Sequence, residues 1–98
     1  MASKPEELTI NYTDGDVQTV KELDKVILSK GAWTTILFRY QDWDARKQEY
    51  GPEKFTIRRY QKRDGEYQQR SKFNISSREQ AKNIIAALQQ WLDEAPEG

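Results

Sequence analysis

The chain has 98 residues, 36% apolar and 33% charged, and its formal net charge is zero. That is room for one domain of about 100 residues, one that leaves roughly a third of its unfolded-chain surface exposed. With no cysteine or histidine there is no disulfide framework, no thiolate or imidazole metal site and no Ser-His or Cys-His chemistry. No metal, no cofactor and no catalysis are expected.

Residues 1–7 are polar with an early proline and are expected to be disordered. They contain no apolar stretch of the kind that marks a secretory signal. The longest apolar runs, Val26–Leu28 and Ile36–Phe38, are three residues, against ~20 for a membrane span. No membrane partner is expected, and a cytoplasmic location is. Leu8, Ile10 and Tyr12 alternate with polar residues up to Asp14-Gly15, as in a short edge strand. Val17, Val20, Leu23 and Ile27 have helical spacing, but Val26-Ile27-Leu28 is a strand-like run, and a strand over 19–29 is the better reading. Lys30-Gly31-Ala32 makes a tight turn into a strand from Trp33 to Trp43, rich in β-branched and aromatic residues. Asp44 to Pro52 reads as a polar loop, in which Asp42, Asp44 and Glu49 lack calcium-loop spacing. A hairpin follows, with strands Phe55–Arg63 and Tyr67–Ile75 joined at Asp64-Gly65.

Ser76 with Glu79, or Ser77 with Gln80, is spaced as a capping box. Ala81, Ile84, Ile85, Leu88, Trp91 and Leu92 then form one helical stripe, expected to lie on the sheet with Trp91 in the core. Pro96 ends the helix. The expectation is an α+β chain: a curved antiparallel sheet of about four strands and one C-terminal amphipathic helix, a single domain over 8–93, with 94–98 a disordered tail.

The hairpin register is expected from parity. Phe55, Ile57, Phe73 and Ile75 are all odd-numbered, and opposed residues share a face, so paired numbers must add to an even total. A two-residue Asp64-Gly65 loop gives an odd total. A three-residue loop, Arg63-Asp64-Gly65, pairs Lys62 with Glu66 and Phe55 with Phe73. Phe55, Ile57, Tyr67, Phe73 and Ile75 then face the core, while Thr56, Arg58, Tyr60 and Lys62 share an open face with Arg70 and Lys72.

Charge is segregated. Residues 1–24 carry two lysines against six acids, whereas 54–72 carry seven Lys/Arg against Asp64 and Glu66. Such a basic stretch with aromatic residues suits phosphates, and its rings suit base stacking worth ~1–3 kcal/mol each. A solvated, edge-protecting face is the plainer reading, and a module that binds an acidic protein or augments a strand edge is the alternative function.

The succession of strand, Lys30-Gly31 turn, aromatic strand, basic hairpin and Asn74-Ile75-Ser76-Ser77 before a helix resembles a superfamily of single-stranded-DNA-binding transcriptional regulators. Whirly proteins and positive cofactor four belong to it. The resemblance covers roughly residues 19–92. It is strongest at Val26-Ile27-Leu28-Ser29-Lys30-Gly31 and Lys72-Phe73-Asn74-Ile75-Ser76, and the Ile-Arg-Arg-Tyr-Gln-Lys hairpin resembles a small bacterial branch. The acidic N-terminus departs from the basic, Ser-rich tails of parts of the superfamily. The resemblance implies binding of single-stranded DNA or RNA, a role in transcription regulation, a homodimer, and nucleic-acid contacts at Trp33, Arg39, Arg58, Tyr60, Lys62, Arg70 and Lys72.

Overall fold

A computed structural model describes residues 4–94; the expectations for 1–3 and 95–98 fall outside the described residues. A 3-10 turn, Pro5–Glu7, stands where disorder was expected. Strands β1 (Tyr12–Asp14), β2 (Val17–Ser29), β3 (Trp33–Asp44), β4 (Glu49–Tyr50), β5 (Lys54–Arg63) and β6 (Glu66–Ile75) precede one helix, α1 (Arg78–Glu94). The architecture is α+β: an antiparallel sheet in the order β1-β2-β3-β5-β6, curled into a half-barrel, with β4 paired to β3. Six strands replace the expected four. The additions are short: β1 takes up Tyr12 but not Leu8 or Ile10, and β4 sits in what reads as the polar loop.

The ambiguous segment is wholly strand. β2 pairs along β3 with register shifts at Glu22/Asp24 and Ile27/Ser29. Each shift places one extra residue in β2, and such bulges bend a strand and deepen its twist. The bulge at Leu23 offsets the two-residue period, so Val20 and Ile27, seven residues apart, both pack against the same core.

The hairpin register differs from expectation in an instructive way. Arg63 pairs with Glu66 across a two-residue loop, yet Ile57 pairs with Phe73 and Phe55 with Ile75. The register shifts between Tyr60↔Gln69 and Arg59↔Ser71, so Arg70 is the extra residue of a bulge. That one residue converts the odd total near the turn into an even total beyond it. Parity alone could not separate a longer loop from a bulge. Asp64 (φ 53°) and Gly65 (φ 82°) both take positive φ, the signature of the tight hairpin turn whose twist matches its strands.

The core lies on the opposite side of the sheet from the one parity suggested. Thr34, Ile36, Phe38 and Tyr40 of β3 and Thr56 and Tyr60 of β5 are buried, and Leu8 and Ile10 cover them. Residues 8–11 are an irregular strap across this face, outside the strand ladder. Lys25 Nζ donates to the Glu6 and Leu8 carbonyls at 2.7 and 2.5 Å, and Asn11 Oδ1 accepts from the Glu22 amide at 2.7 Å. The buried pairings sort the rest: the strap face carries Arg58 opposite Lys72 and Lys62 opposite Tyr67, because the bulge moves Tyr67 off the side of Ile57.

The other, helix face carries Leu37, Phe55, Ile57 and Ile75. With Leu28 and with Ala81, Ile84, Ile85 and Leu88 of α1 they line a wholly apolar cleft of about 400 Å³. Ser77 Oγ accepts from the Gln80 amide at 3.1 Å and Gln80 Oε1 from the Ser76 amide at 3.0 Å, so the second of the two capping pairs starts the helix. α1 buries no residue: Ile85, Trp91 and Leu92 are 66%, 63% and 66% exposed. Trp91 is thus not core within one chain.

A side chain at Gly65 would meet nothing within 4 Å, so the cost of substitution there is backbone strain alone. Gly65→Val is expected to destabilise the fold by about 1–2 kcal/mol. Chemical denaturation checks this, and an unchanged midpoint would mean the turn relaxes into another geometry.

Candidate nucleic-acid interface

β6 is an edge strand, and from Gln68 to Asn74 every residue is exposed. Together β5 and β6 carry Arg58, Arg59, Lys62, Arg63, Arg70 and Lys72. Among the described residues none of these six has a carboxylate within 4.0 Å; the ion pairs there are Lys30–Glu6, Arg39–Glu53 and Lys54–Asp42. Among the described residues the charge of these six side chains therefore has no carboxylate partner, whereas Lys54, the remaining basic residue of β5, pairs with Asp42.

The seven residues expected at the site do not share a face. Arg58, Tyr60, Lys62 and Lys72 lie on the strap face, whereas Trp33, Arg39 and Arg70 lie on the helix face. Arg58 opposes Lys72 and not Arg70. Arg58 is half-buried and held in place: its Nε donates to Thr56 Oγ1 at 3.2 Å and a terminal nitrogen to Gln69 Oε1 at 2.7 Å. Like charges directly opposite on neighbouring strands destabilise a sheet unless a counter-charge meets them. Lys62 sits over the Tyr67 ring at 5.6 Å, and Lys72 makes no hydrogen bond or ion pair among the described residues. Arg39 faces Glu53 at 3.7 Å, which places it away from the unpaired group.

Tyr60 is 5% exposed within the core cluster, so its ring is not open to a base. The misassignment follows from the face reversal: a tyrosine among arginines reads as a surface ring, but the strap covers that side of β5.

One residue that sequence reasoning set aside belongs to the group. Arg59 stacks on the Trp33 ring at 4.6 Å, and Trp33 is 42% exposed. Trp33 pairs with Gln61, Thr35 with Arg59, and Arg70 Nε donates to Gln61 Oε1 at 3.1 Å. Trp33, Arg59, Gln61 and Arg70 therefore form one basic-aromatic patch on the helix face, beside its apolar half. The parity of Trp33, Arg59 and Gln61 was the available signal, since odd positions of β5 lie opposite the side that carries Arg58, Tyr60 and Lys62.

The acidic residues of the β3–β5 connection have structural partners. Asp42 pairs with Lys54 at 3.1 Å, and Asp44 Oδ1 accepts from the Arg46 and Lys47 amides. Among the described residues no group of carboxylates could hold a metal ion, and no helix is long and apolar enough to cross a membrane. Comparison with protein-family models, with curated proteins and with solved structures finds no match.

Burial pushes the phenols of Tyr40 and Tyr60 above the ordinary tyrosine range; Asp42 adds to this at Tyr40, and Arg58 opposes it at Tyr60. Since the neutral phenols are the buried forms, their contribution to stability is intact below the ordinary range and is lost as pH rises through the folded-state values. Thermal melts taken from neutral to strongly alkaline pH should fall in that window, and Tyr60→Phe should reduce the fall. Equal alkaline sensitivity in both proteins would remove Tyr60 from the account.

Proposed function

We propose that this chain is a non-catalytic module for single-stranded nucleic acid, DNA or RNA, working as a homodimer. The observation that carries the proposal is the β5–β6 end of the sheet, where six cations lack carboxylate partners among the described residues and an exposed indole lies beneath Arg59. Cations without internal partners can neutralise phosphates, and a ring with one free side can stack on a base. Contacts are assigned to Trp33, Arg59 and Arg70, with Lys72, Lys62 and Arg58 as neighbouring cations. The resemblance to single-stranded-DNA-binding regulators favours the same reading and extends it to transcription regulation.

The dimer is argued from surface. A compact chain of this mass exposes about 5,800 Å², whereas this one exposes 7321 Å². Its radius of gyration is 15.8 Å against about 12.5 Å for a compact domain of this length. The excess area exceeds the ~800 Å² that each partner buries in a standard interface. The helix stripe lines the apolar cleft and continues beyond it to the exposed Trp91 and Leu92, so a two-fold axis lets the α1 stripe of each copy cover apolar surface of the other. A net charge of zero puts no long-range repulsion between copies. The alternative, strand addition at β6, is opposed by the Arg70 bulge and Lys72, the features that block edge pairing.

In salt titrations with oligothymidylate, Arg59→Ala and Arg70→Ala should each lower the salt slope by about 0.7. Trp33→Ala should cost ~1–3 kcal/mol with the slope nearly unchanged, and Tyr60→Phe should bind like the parent chain. Absence of binding at ~50 mM salt, where phosphate contacts are strongest, would rule the reading out. For the dimer, Leu92→Glu should convert the sedimenting species to a folded monomer; a parent chain that sediments as a monomer would contradict it.

A further inference from the structure

The unpaired cations sit on both faces of the β6 edge. The strap face offers Arg58 and Lys72, directly opposite each other, with Gln69 bonded to Arg58. The helix face offers Arg59 on Trp33 and Arg70 on Gln61. The Arg70 bulge produces this division. Without it, the residues of β6 between Gln69 and the helix would change faces, and Lys72 would move to the side of Ile57.

Among the described residues no further strand lies beyond β6. A ligand on one face therefore has only the thickness of a single sheet to cross before it reaches the other, about 10 Å, the spacing of stacked layers. A flexible strand can turn over such an edge. A duplex cannot, because its persistence length is ~50 nm and so it lies against one face at a time.

Resting on the nucleic-acid reading above, we infer that a single strand folds over the β6 edge and is gripped from both faces. A base rests on the Trp33 side, and a phosphate further along the strand sits between Arg58 and Lys72. Selectivity for single strands over duplex then arises from the strand's ability to bend. The phosphate also relieves the repulsion of the Arg58–Lys72 pair, which gives that pair its purpose. The apolar half of the helix face is left free for the second copy.

The test uses the full chain with Lys72→Gln and Arg70→Gln, one substitution on each face. Both sites are exposed, and thermal melts establish that both variants fold. Binding is measured by fluorescence anisotropy with oligothymidylates of increasing length and with a mixed-sequence duplex, at physiological salt, where screening acts over about 8 Å. Arg70→Gln should weaken single-strand and duplex binding alike, by roughly threefold to tenfold. Lys72→Gln should weaken long single strands to a similar degree, while leaving the shortest oligothymidylates and the duplex within about twofold of the parent. Two results would overturn the inference and leave the nucleic-acid reading standing: long single strands indifferent to Lys72→Gln, or a duplex as sensitive to it as the single strand. A parent chain that binds neither nucleic acid would overturn both.

Discussion

Everything in this fold turns on the middle of β3, Ile36–Phe38, being apolar on both faces. Ile36 and Phe38 point one way and are fully buried, while Leu37 points the other and lines the apolar cleft. A strand of that kind must be covered twice, and a chain of this length has little with which to cover it. The strap solves one side cheaply. Leu8 and Ile10 reach across the curl, and Lys25 and Asn11 hold the strap by bonds between side chain and backbone. The other side has α1 alone, which forms one wall of the cleft without burying any residue of its own. That asymmetry is the physical ground for proposing a second copy, and it leaves the β5–β6 end as the region where charge, not apolar surface, dominates.

The two bulges of β2 against β3 and the one of β6 connect fold to site. Those in β2 accompany the curl under the strap. The one at Arg70 lets a tight Asp64-Gly65 turn coexist with Ile57 opposite Phe73, and it separates Arg70 from Lys72 by a whole face. A bulge that also discourages edge pairing thus sets the distribution of cations that the proposed ligand meets.

Much of the fold was legible. The β-branched and aromatic run of β3, the turns at Gly31 and Asp64-Gly65, and the stripe and cap of α1 carry strong local signals, and each element stands close to where the sequence put it. What was hidden depends on distant contacts. Nothing near Leu8 or Ile10 says that they cross the sheet, and without that cover the Thr56-Arg58-Tyr60 side reads as open. Phe55, Ile57 and Phe73, the residues that looked like the core, instead face the incompletely covered side. The candidate site was legible as a stretch but not as a surface. The net positive charge of residues 54–72 was plain, whereas a single extra residue at Arg70 decided which cations of β6 share a face with those of β5.

The measurement that tests the central claim most directly is a nuclear magnetic resonance titration of the isotope-labelled full chain with an unlabelled oligothymidylate. The account predicts shifts in the amides of β5 and β6 from Arg58 to Lys72, large changes at the Trp33 indole N–H, and little change along the exposed stripe of α1. Shifts concentrated on α1 and the apolar cleft, or an unperturbed hairpin at saturating oligonucleotide, would contradict it.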